Sequence, residues 1–418
     1  MLTEHKIIRD SIHGDIKVEG LFLDLLATPE LQRLYNIKQL GLAHLVFPGA
    51  HHTRLEHSLG TYHMALRSSD LLGLDENDKK LVTCAALLHD IGHGPFSHTL
   101  ESLLRDSLNV DHVDLTVKLI FGEYDIFGED EKDFVSSQSV HEVLEKYNMG
   151  IRKVVDIIKG NKEDKNFLSQ LLDSAIDVDQ LDYLMRDAYY TGVAYGMIDI
   201  ERFLQTLIIY DDRLAVKRKG VSVLENILMA RALMYSSVYF HKTVRIPELM
   251  LSKAIELIPD ANPFDFFKMT DNELMSKLKN KGFFQQKIAT CLKYRKLYKQ
   301  AYMADHSNLS NQQQDVVKKL DNPRFRREKE QEFEEKLNIS PGQIIIDVPY
   351  RELHMSEPRI NQTDIMILDE GKLKKLDDFT PIAGAIRSRF IPDWMLMIVT
   401  DEKHRLSVAK HAEKILFK

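Results

Sequence analysis

Histidine is concentrated in one short part of this chain of 418 residues. Nine of the 17 histidines lie between His44 and His112. Three of them stand in "LLHDIGHGPFSH" (residues 87–98), together with one aspartate, two glycines and one proline. A hydrophobic core does not gather so many titratable groups without a use, because a buried polar group without a partner costs free energy. The chain must therefore fold around a polar cavity near these residues.

Length and composition indicate an ordinary globular protein. The length alone suggests two or three domains, and 44% of residues are hydrophobic and 28% charged. The net charge of -7 argues against long nucleic acid as a partner, because that role needs a basic face. The only cysteines, Cys84 and Cys291, offer no disulfide framework, and no apolar run is long enough for a membrane span. We therefore expect a cytoplasmic protein without a membrane partner.

Most of the chain between residues 20 and 250 is predicted to form successive amphipathic helices. "TRLEHSLGTYHMALRSSDLLGL" begins with Thr53 as N-cap and has Glu56 three residues on, the pattern of a capping box. "DKKLVTCAALLHDIGH" repeats apolar residues with helical period. The glycines and proline that follow would end this helix and let the backbone pass close to whatever the histidines hold. "NFLSQLLDSAIDVDQLDYLMRDAYY" and "SVLENILMARALMYSSVYFHKTV" predict two further long helices.

The pattern changes towards the C-terminus. Residues 294–336 are polar and charged, which predicts exposed helices and a mobile connection. After Pro341, "QIIIDVPY", "DIMIL" and "WMLMIVT" predict short strands, and "RLSVAKHAEKILFK" predicts a closing helix. The fold class is therefore mainly α with a small α+β unit. We expect three parts: residues 1–250, a helical extension with a polar connection over 251–340, and a small α+β subdomain over 341–418.

The histidine-rich motif predicts a metal site. His89 and His93 are four residues apart and would share one helical face, with Asp90 about 100° round the axis. Imidazole nitrogens with carboxylate oxygens suit zinc, iron, manganese and related divalent ions. A neutral buried hydrogen-bonded pair of His89 with Asp90 is the structural alternative. The density of titratable groups around the pair favours the metal.

Two further segments add polar side chains at helical spacing. "TRLEHS" presents Arg54 and His57 three residues apart on one face. "DVDQLDYLMRD" presents four polar residues on one face, namely Asp179, Tyr183, Arg186 and Asp187. Asp179 would supply an oxygen ligand, with Tyr183 and Asp187 lining the same cavity. Asp177 and Asp182 are predicted to be solvated or to cap the helix.

The ordered set "RLEHS", "LLHDIGHGPFSH" and "IDVDQLDYLMRD" resembles the HD-domain phosphohydrolases, and more narrowly the deoxynucleoside triphosphate triphosphohydrolases. The resemblance runs from "IIRDSIHGDI" through "PELQRLYNIKQLG" and "VFPGAHHTRLEHSLG" to "SVYFHKTV", and resumes weakly at "YRKLYK" and in the C-terminal strands. It implies an HD-domain helical bundle within residues 1–250. It also implies hydrolysis of deoxynucleoside triphosphates (dNTPs) to deoxynucleoside and inorganic triphosphate.

The resemblance implies roles for individual residues. One divalent ion per site (Mn, Fe, Zn, Ni or Mg) would be held by four ligands, namely His57, His89, Asp90 and Asp179. Catalysis would involve Asp90 and the residues beside the scissile phosphate, His93 and His112, with Glu101 orienting one of these histidines. The phosphates would be contacted by Arg54, His98 and Tyr183. The sugar 3′-hydroxyl would be held by Gln39 and Asp187, the 2′ position crowded by Leu40 and Tyr239, and another part of the substrate contacted by Arg231.

The sequence departs from the animal members of this group in two regions. In the substrate pocket, Gln180 stands in place of a phosphate-binding lysine, Val113 in place of a glutamate, and Tyr235 and Phe240 in place of a histidine and a glutamine near the base. At the position of an activating guanine nucleotide, Ala27 and Tyr35 replace an aspartate and an arginine, although Gln32 and Arg295 match. The base preference and nucleotide activation therefore stay open.

The resemblance also implies a homo-oligomer, either a dimer or a tetramer, and His93 or His112 would transfer the proton during attack of water on the α-phosphate. Two other functions fit the same residues. One is an HD phosphodiesterase or nucleotidase acting on nucleoside monophosphates, cyclic nucleotides or single-stranded DNA ends; the other is a non-catalytic nucleotide-sensing scaffold. The phosphate product distinguishes the first, and metal content the second. Structural or supporting roles are predicted for the remaining histidines of the cluster: His44, His51, His52 and His63.

Overall fold

The computed structural model describes residues 5–97, 100, 110–128, 131–135, 137–160, 166–259, 262, 264–349, 363–389 and 394–418. Helices dominate these residues, and the strands form small sheets, as the sequence predicts. Among the described residues we find no helix that combines the length and apolar character needed to cross a membrane.

The described chain begins with a β-hairpin formed by β1 (His5–Asp10) and β2 (Gly14–Glu19). The Asp10 side chain accepts the backbone N–H groups of Ile12 and His13, each at 2.8 Å, and so closes the turn. This turn fixes the direction of His13, whose imidazole reaches the functional site described below.

A bundle of helices follows, and its central helices are α3 (Arg54–Leu72), α4 (Glu76–Leu88) and α9 (Val178–Thr191). Helix α3 packs against both of the others. The Thr53 side chain accepts the Glu56 N–H while the Glu56 side chain accepts the Thr53 N–H, which confirms the predicted capping box at the start of α3. Leu55, Leu88 and Leu184 are fully buried between these helices. The helices of this part are α1 (Leu21–Leu26), α2 (Pro29–Arg33), α3 (Arg54–Leu72), α4 (Glu76–Leu88), α5 (His112–Ile120), α6 (Val140–Lys146), α7 (Ile151–Lys159), α8 (Phe167–Leu172), α9 (Val178–Thr191) and α10 (Ile200–Leu204).

Two helix predictions in the bundle are wrong in extent. The helix predicted to run to His93 ends at Leu88, before the glycines. The helix predicted across residues 166–190 is two helices, because the chain breaks at residues 173–177 and Asp177 starts a new helix. Its side chain accepts the backbone N–H of Gln180 at 2.9 Å, so Asp177 is an N-cap as predicted, but it is buried rather than solvated.

A second hairpin interrupts the region in which successive helices were predicted. Strands β3 (Leu207–Tyr210) and β4 (Arg213–Lys217) pair antiparallel. The two turn residues, Asp211 and Asp212, have φ angles of 51° and 56°. Positive φ at both positions matches the twist of a two-residue hairpin, and aspartate tolerates this conformation.

The long helix predicted from residue 222 to 244 is also divided. Helix α11 (Val221–Met234) widens into one π-helical turn, Tyr235–Tyr239, and α12 (Lys242–Glu256) starts after it. A π turn changes the direction in which the following side chains point, and such turns are frequent at functional sites. Here it presents Tyr239 to the Asp187 carboxylate.

The C-terminal strands confirm the predicted β segments but divide between two sheets. One sheet has the strand order β3, β4, β7 (Met366–Asp369), β8 (Lys372–Lys375). The other has the order β5 (Lys299–Ala304), β9 (Leu396–Thr400), β6 (Ile344–Asp347). Strand β5 lies where exposed helices and a mobile connection were predicted, so that part of the prediction is wrong. The division of the chain at residues 250 and 340 stays a prediction. The elements are α13 (Phe264–Phe267), α14 (Asp271–Lys279), α15 (Phe283–Lys293), β5 (Lys299–Ala304), α16 (Asn311–Leu320), α17 (Pro323–Leu337), β6 (Ile344–Asp347), β7 (Met366–Asp369), β8 (Lys372–Lys375), α18 (Ile382–Arg387), β9 (Leu396–Thr400) and α19 (Arg405–Leu416).

Candidate metal centre and adjoining pocket

Four side chains from three separate stretches meet between α3, α4 and α9. His57 lies in the first turn of α3, the pair His89–Asp90 follows the end of α4, and Asp179 lies in the first turn of α9. Oδ1 of Asp179 is 3.0 Å from Nε2 of His57 and 3.7 Å from Nε2 of His89. The Asp90 carboxylate is 3.3 Å from the same His89 nitrogen and 3.9 Å from Nε2 of His57. The structure thus brings all four predicted metal ligands together.

This donor set fits a divalent cation. His57, His89 and Asp90 each offer one ligand atom within 4.8 Å of the other two. Nε2 of His89 is buried and has no hydrogen-bond partner among the described residues. A buried nitrogen without a partner is costly, so its presence indicates a binding role. Two imidazoles with carboxylate oxygens are a suitable set for zinc, iron, manganese or a similar ion.

The electrostatics of the cluster also favour a cation. Although burial lowers the pKa of His57, hydrogen bonds to Asp179 and Asp182 raise it to about 10. Burial raises the pKa of Asp90, but the neighbouring imidazoles and the Arg54 guanidinium hold it well below its usual range. The negative charge of the Asp179 and Asp182 carboxylates, which retains a proton on His57, also attracts a metal cation. The cation and the proton therefore compete for His57.

Asp182 fixes the orientation of His57. Oδ2 of Asp182 accepts from Nδ1 of His57 at 2.7 Å, and Oδ1 accepts from Nε2 of His13 at 2.6 Å. A proton on Nδ1 leaves the lone pair of Nε2 directed at the metal cluster, as is usual for histidine ligands. The prediction that Asp182 is solvated or caps the helix is wrong, because this side chain is fully buried.

Arg186 completes the support of Asp182. Its Nε and Nη2 each donate to the Asp182 carboxylate at 2.9 Å, and its Nη1 donates to Asp10 of the N-terminal hairpin at 2.8 Å. Arg186 is fully buried, so it supports the carboxylate rather than lining the cavity. The pair needs a glycine opposite it on α3, since a Cβ at Gly60 would lie 1.9 Å from Oδ1 of Asp182. Burial raises the pKa of Asp182, but Arg186 and the two histidines hold it well below its usual range.

His93 and His112 lie on the other side of Asp90. The helix ends before His93, so the predicted shared face with His89 is wrong. Nε2 of His93 is 3.4 Å from Oδ1 of Asp90, and its ring stacks on that of His112 with centroids 4.0 Å apart. Burial lowers the pKa of His93 well below the usual value. The structure therefore places both predicted catalytic histidines next to the metal cluster.

The glycines of the motif serve helix packing. A Cβ at Gly92 would lie 2.3 Å from the carbonyl oxygen of His112, and the Gly92 N–H donates to Thr116. A Cβ at Gly94 would lie 3.3 Å from Cα of Phe267. The predicted close approach of the backbone to a bound group is therefore a close approach to α5 and α13.

Arg33 and Asp271 hold the turn after α4 in place. Arg33 is buried and donates to the carbonyl oxygens of Ile91 and His93 at 3.0 and 2.7 Å. Asp271 accepts the backbone N–H of Phe96 and of Lys38, each at 3.0 Å. Sequence patterns did not indicate either residue, because each acts on backbone groups far away in the chain.

Arg54 is buried and paired within the cluster. Its Nη1 donates to Oδ2 of Asp90 at 2.6 Å, and its Nε donates to Oγ of Ser97 at 2.8 Å. The ring of Tyr183 lies 6.4 Å from that of His57, so Tyr183 also lies beside the metal cluster.

The predicted sugar-binding residues form a second group around Asp187 of α9. Asp187 accepts from the Tyr239 hydroxyl at 2.7 Å and lies 2.7 Å from Nε2 of His52. The Gln39 N–H donates to the carbonyl oxygen of His52 at 3.0 Å, and Oε1 of Gln39 is buried without a partner among the described residues. Leu40 is buried beside Gln39. The structure thus brings Gln39, Asp187 and Tyr239 together through His52, which was not predicted to do so.

Arg231 is also buried, on α11. Its Nη1 donates to the carbonyl oxygen of Ala175 at 2.7 Å and to Oε1 of Gln180 at 2.9 Å. Gln180, which replaces a lysine of the animal proteins, therefore contacts a cation of this chain instead of supplying one. Towards the predicted base end, Tyr235 is buried and stacks on Phe240.

Two predicted site residues, His98 and Glu101, lie outside the described residues. At the predicted activator position, Gln32 donates to the carbonyl oxygen of Leu26 at 2.7 Å, and Arg295 donates to that of Leu45 at 2.6 Å. Among the other histidines, the ring of His63 lies 5.1 Å from that of His13, and the rings of His44 and His51 lie 4.9 Å apart.

Comparisons with known proteins agree with this architecture. The family model of the HD domain matches residues 54–187, and that of the HD associated region matches residues 198–417. The chain is 32% identical over 401 residues to the uncharacterized protein MJ1154 of Methanocaldococcus jannaschii, covering 94% of this chain and 78% of that protein.

Two further matches are to a triphosphohydrolase and a phosphohydrolase. The chain is 34% identical over 266 residues to the deoxynucleoside triphosphate triphosphohydrolase SAMHD1 homolog of Dictyostelium discoideum; the match covers 60% of this chain and 48% of that protein. The structure of a phosphohydrolase from Bacteroides thetaiotaomicron superposes with a TM-score of 0.70 at 26% identity, covering 95% of this chain and 99% of that one. The chain therefore belongs to the HD-domain family that includes the deoxynucleoside triphosphate triphosphohydrolases.

Proposed function

We propose that this protein is a metal-dependent hydrolase that converts dNTPs to deoxynucleoside and inorganic triphosphate. The observation that carries the proposal is the meeting of His57, His89, Asp90 and Asp179 near the start of α9. Further along the same helix, Asp187 accepts from Tyr239, and His52 joins this pair to Gln39. A metal site beside a sugar site on the same helix matches a substrate that has a phosphate at one end and a nucleoside at the other.

The metal site is proposed to hold one divalent ion through His57, His89, Asp90 and Asp179. When bound, such an ion polarises a phosphoryl oxygen and lowers the pKa of a water molecule at the scissile bond. The residues of this chain fix the ligands: Asp182 orients His57, and the backbone carbonyl of Ala86 lies 2.8 Å from Nδ1 of His89. Both imidazoles therefore direct Nε2 at the cluster.

Proton transfer is assigned to the stacked pair of His93 and His112. Cleavage between the α-phosphorus and O5′ leaves an alkoxide on the deoxynucleoside, which must gain a proton. The attacking water must in turn lose a proton. The pair adjoins Asp90, so its imidazoles can accept the proton of the water and deliver a proton to O5′. Glu101 is proposed to orient one of the two rings.

Phosphate binding is assigned to Arg54, Tyr183 and His98, and contact with another part of the substrate to Arg231. Arg54 supplies positive charge beside Asp90, and both arginines are already held by hydrogen bonds to protein groups. A guanidinium has five N–H donors, so each arginine can keep these bonds and still donate to the substrate.

The sugar end is assigned to Gln39 and Asp187 for the 3′-hydroxyl and to Leu40 and Tyr239 for the 2′ side. Carboxylate oxygens accept only, so Asp187 is suited to a hydroxyl donor. The Tyr239 ring is fixed through its hydroxyl and lies 4.9 Å from the Tyr235 ring. A ring held in this way leaves little room for a 2′-hydroxyl.

Product analysis tests the proposal. Purified protein loaded separately with Mn²⁺, Fe²⁺, Zn²⁺, Ni²⁺ or Mg²⁺ is incubated with each dNTP and each rNTP, and ³¹P NMR identifies the phosphate product. Inorganic triphosphate from dNTPs is the expected result. Pyrophosphate or orthophosphate would contradict it and favour a phosphodiesterase or nucleotidase. Failure to bind any of these ions would favour a nucleotide-sensing scaffold.

Assembly and regulation are tested with the same protein. We propose a dimer or tetramer, which light scattering after size-exclusion chromatography measures directly. Addition of GTP or dGTP to the assay tests nucleotide activation, for which Gln32 and Arg295 are the candidate contacts. A cytoplasmic location is proposed from the low cysteine content.

A further inference from the structure

His52 has no role in the function proposed above, yet it contacts both residues assigned to the sugar 3′-hydroxyl, Gln39 and Asp187. It precedes α3, is 2% exposed, and follows His51, which is exposed. Burial of an imidazole requires partners, because an unpaired polar group loses its hydration.

The contacts of His52 join the two residues assigned to the 3′-hydroxyl. Nε2 lies 2.7 Å from Oδ1 of Asp187, and the backbone carbonyl oxygen accepts the Gln39 N–H at 3.0 Å. The His52 ring stacks on Tyr190 with centroids 4.6 Å apart and planes 19° from parallel. The Tyr190 hydroxyl is itself held by Glu56 at 3.0 Å. The imidazole is therefore fixed on its face as well as at its edge.

The hydrogen-bond pattern defines the tautomer of His52. A carboxylate only accepts, so Nε2 of His52 carries the hydrogen that bonds to Asp187. Nδ1 is buried and has no partner among the described residues, as expected for a ring protonated on Nε2 alone. One imidazole N–H thus sets the plane of the Asp187 carboxylate.

Asp187 also holds Tyr239, the residue assigned to the 2′ side of the sugar. Its second oxygen, Oδ2, accepts the Tyr239 hydroxyl at 2.7 Å. Each carboxylate oxygen has a further lone pair, so Asp187 can still accept a hydroxyl from a ligand. If the carboxylate rotates, the position of the Tyr239 ring changes with it, because the hydroxyl follows its acceptor.

We propose that His52 is the positioning residue of a deoxyribose site: it holds Asp187 and Tyr239 in the one arrangement that accepts a 3′-hydroxyl and excludes a 2′-hydroxyl. The inference rests on the proposed function for the identity of the substrate, but the His52–Asp187–Tyr239 arrangement is independent of the metal cluster. His52 acts through Asp187 and does not contact the reacting atoms.

The test compares substitutions that keep or remove the donor at Nε2. His52→Phe keeps a flat ring against Tyr190 but cannot donate, and His52→Asn is too short to reach Asp187. His52→Gln places an amide N–H close to the position of Nε2. The matched control is His51→Phe, the same change at the exposed neighbour.

The expected result is a loss of sugar discrimination rather than of chemistry. For His52→Phe and His52→Asn we expect KM for dNTPs to rise about tenfold or more, with a smaller change in kcat, since a lost charge-assisted hydrogen bond has effects of this size. The ratio of kcat/KM between a dNTP and the matching rNTP should fall, and His52→Gln should recover most of it. His51→Phe should match the wild type.

Two outcomes would overturn the proposal. One is wild-type discrimination in both loss-of-donor variants. The other is an equal loss of dNTP and rNTP turnover in all three His52 variants through kcat alone, which would indicate a structural role only. Calorimetric binding of dATP and ATP distinguishes a failure of this proposal from a failure of the proposed function. If the wild type prefers dATP without releasing triphosphate, and His52→Phe loses that preference, the sugar site stands and the triphosphohydrolase assignment fails.

Discussion

Replacement of Asp182 by asparagine should weaken both metal binding and folding, although Asp182 is not a predicted ligand. The carboxylate accepts four N–H groups: from His57 at 2.7 Å, from His13 at 2.6 Å, and twice from Arg186 at 2.9 Å. An asparagine replaces one acceptor oxygen by an NH₂ group that faces N–H donors. At least one of these four hydrogen bonds is therefore lost. The negative charge beside the fully buried Arg186 guanidinium is lost as well.

The size of the effect follows from these contacts. Removing one partner of a buried ion pair costs about 3–5 kcal/mol of unfolding free energy, because the other charge stays buried. Arg186 keeps Asp10 as a partner, so we expect the lower end of this range. Loss of the hydrogen bond that orients a histidine ligand weakens metal affinity by about 10- to 100-fold.

Two measurements separate these effects. Urea unfolding in excess chelator reports the stability of the metal-free protein, and titration against a competing chelator reports the affinity for Mn²⁺ or Zn²⁺ at a temperature at which both proteins are folded. The matched control is Asp347→Asn, since Asp347 is a buried carboxylate that pairs with Arg245 and Trp394. Asp347→Asn should lower stability but leave metal affinity unchanged. Equal metal affinity for the wild type and Asp182→Asn would refute the reasoning.

Three other predictions concern single side chains. Asp90→Ala should abolish both metal binding and turnover, because Asp90 adjoins His89 and the catalytic pair; near-wild-type activity in the product assay would contradict the mechanism. Gly60→Ala should lower the unfolding free energy by about 1–3 kcal/mol or more, since the added Cβ would lie 1.9 Å from Oδ1 of Asp182. An unchanged midpoint of urea unfolding would contradict the tight packing of α3 against α9 at this glycine. Burial lowers the pKa of His63 from 6.5 to about 4. Between these pH values the His63 imidazole is protonated in the unfolded chain but not in the folded protein. The unfolding free energy should therefore fall as the pH decreases from 6.5 to 4. His63→Gln should lose less stability than the wild type over this interval, and identical pH profiles would disprove the assignment.

The metal cluster was predictable because its members belong to short motifs. His89 and Asp90 are adjacent, and His57 and Asp179 each lie in the first turn of a helix with a recognisable N-cap. Helical spacing and side-chain chemistry indicated His89, Asp90 and Asp179 as candidate ligands. The family resemblance implied His57 and the full set of four, and the structure brings the four side chains together.

The support of the cluster was not predictable in the same way. Asp182 looks like a polar residue on an exposed face until the N-terminal hairpin and the Arg186 side chain cover it. Arg33 donates to backbone carbonyls of the turn after α4, and no local pattern records such contacts. These roles depend on packing between distant segments, which residue spacing does not describe.

The fold errors have local causes. Residues 173–177 interrupt a pattern with helical period, because Asp177 caps a new helix there. The strand Lys299–Ala304 lies within a polar and charged part of the sequence and gains its partner only when Leu396–Thr400 pairs with it. Asp211 and Asp212 form a hairpin turn that the flanking apolar residues alone do not distinguish from a helix.

Anomalous diffraction at the manganese absorption edge, from crystals of the Mn²⁺-loaded protein, tests the central claim most directly. The account predicts one strong peak within coordination distance of Nε2 of His57 and His89 and of the carboxylates of Asp90 and Asp179. A protein without such a peak, or one whose ion lies at other side chains, would contradict the metal centre and the hydrolysis proposed from it.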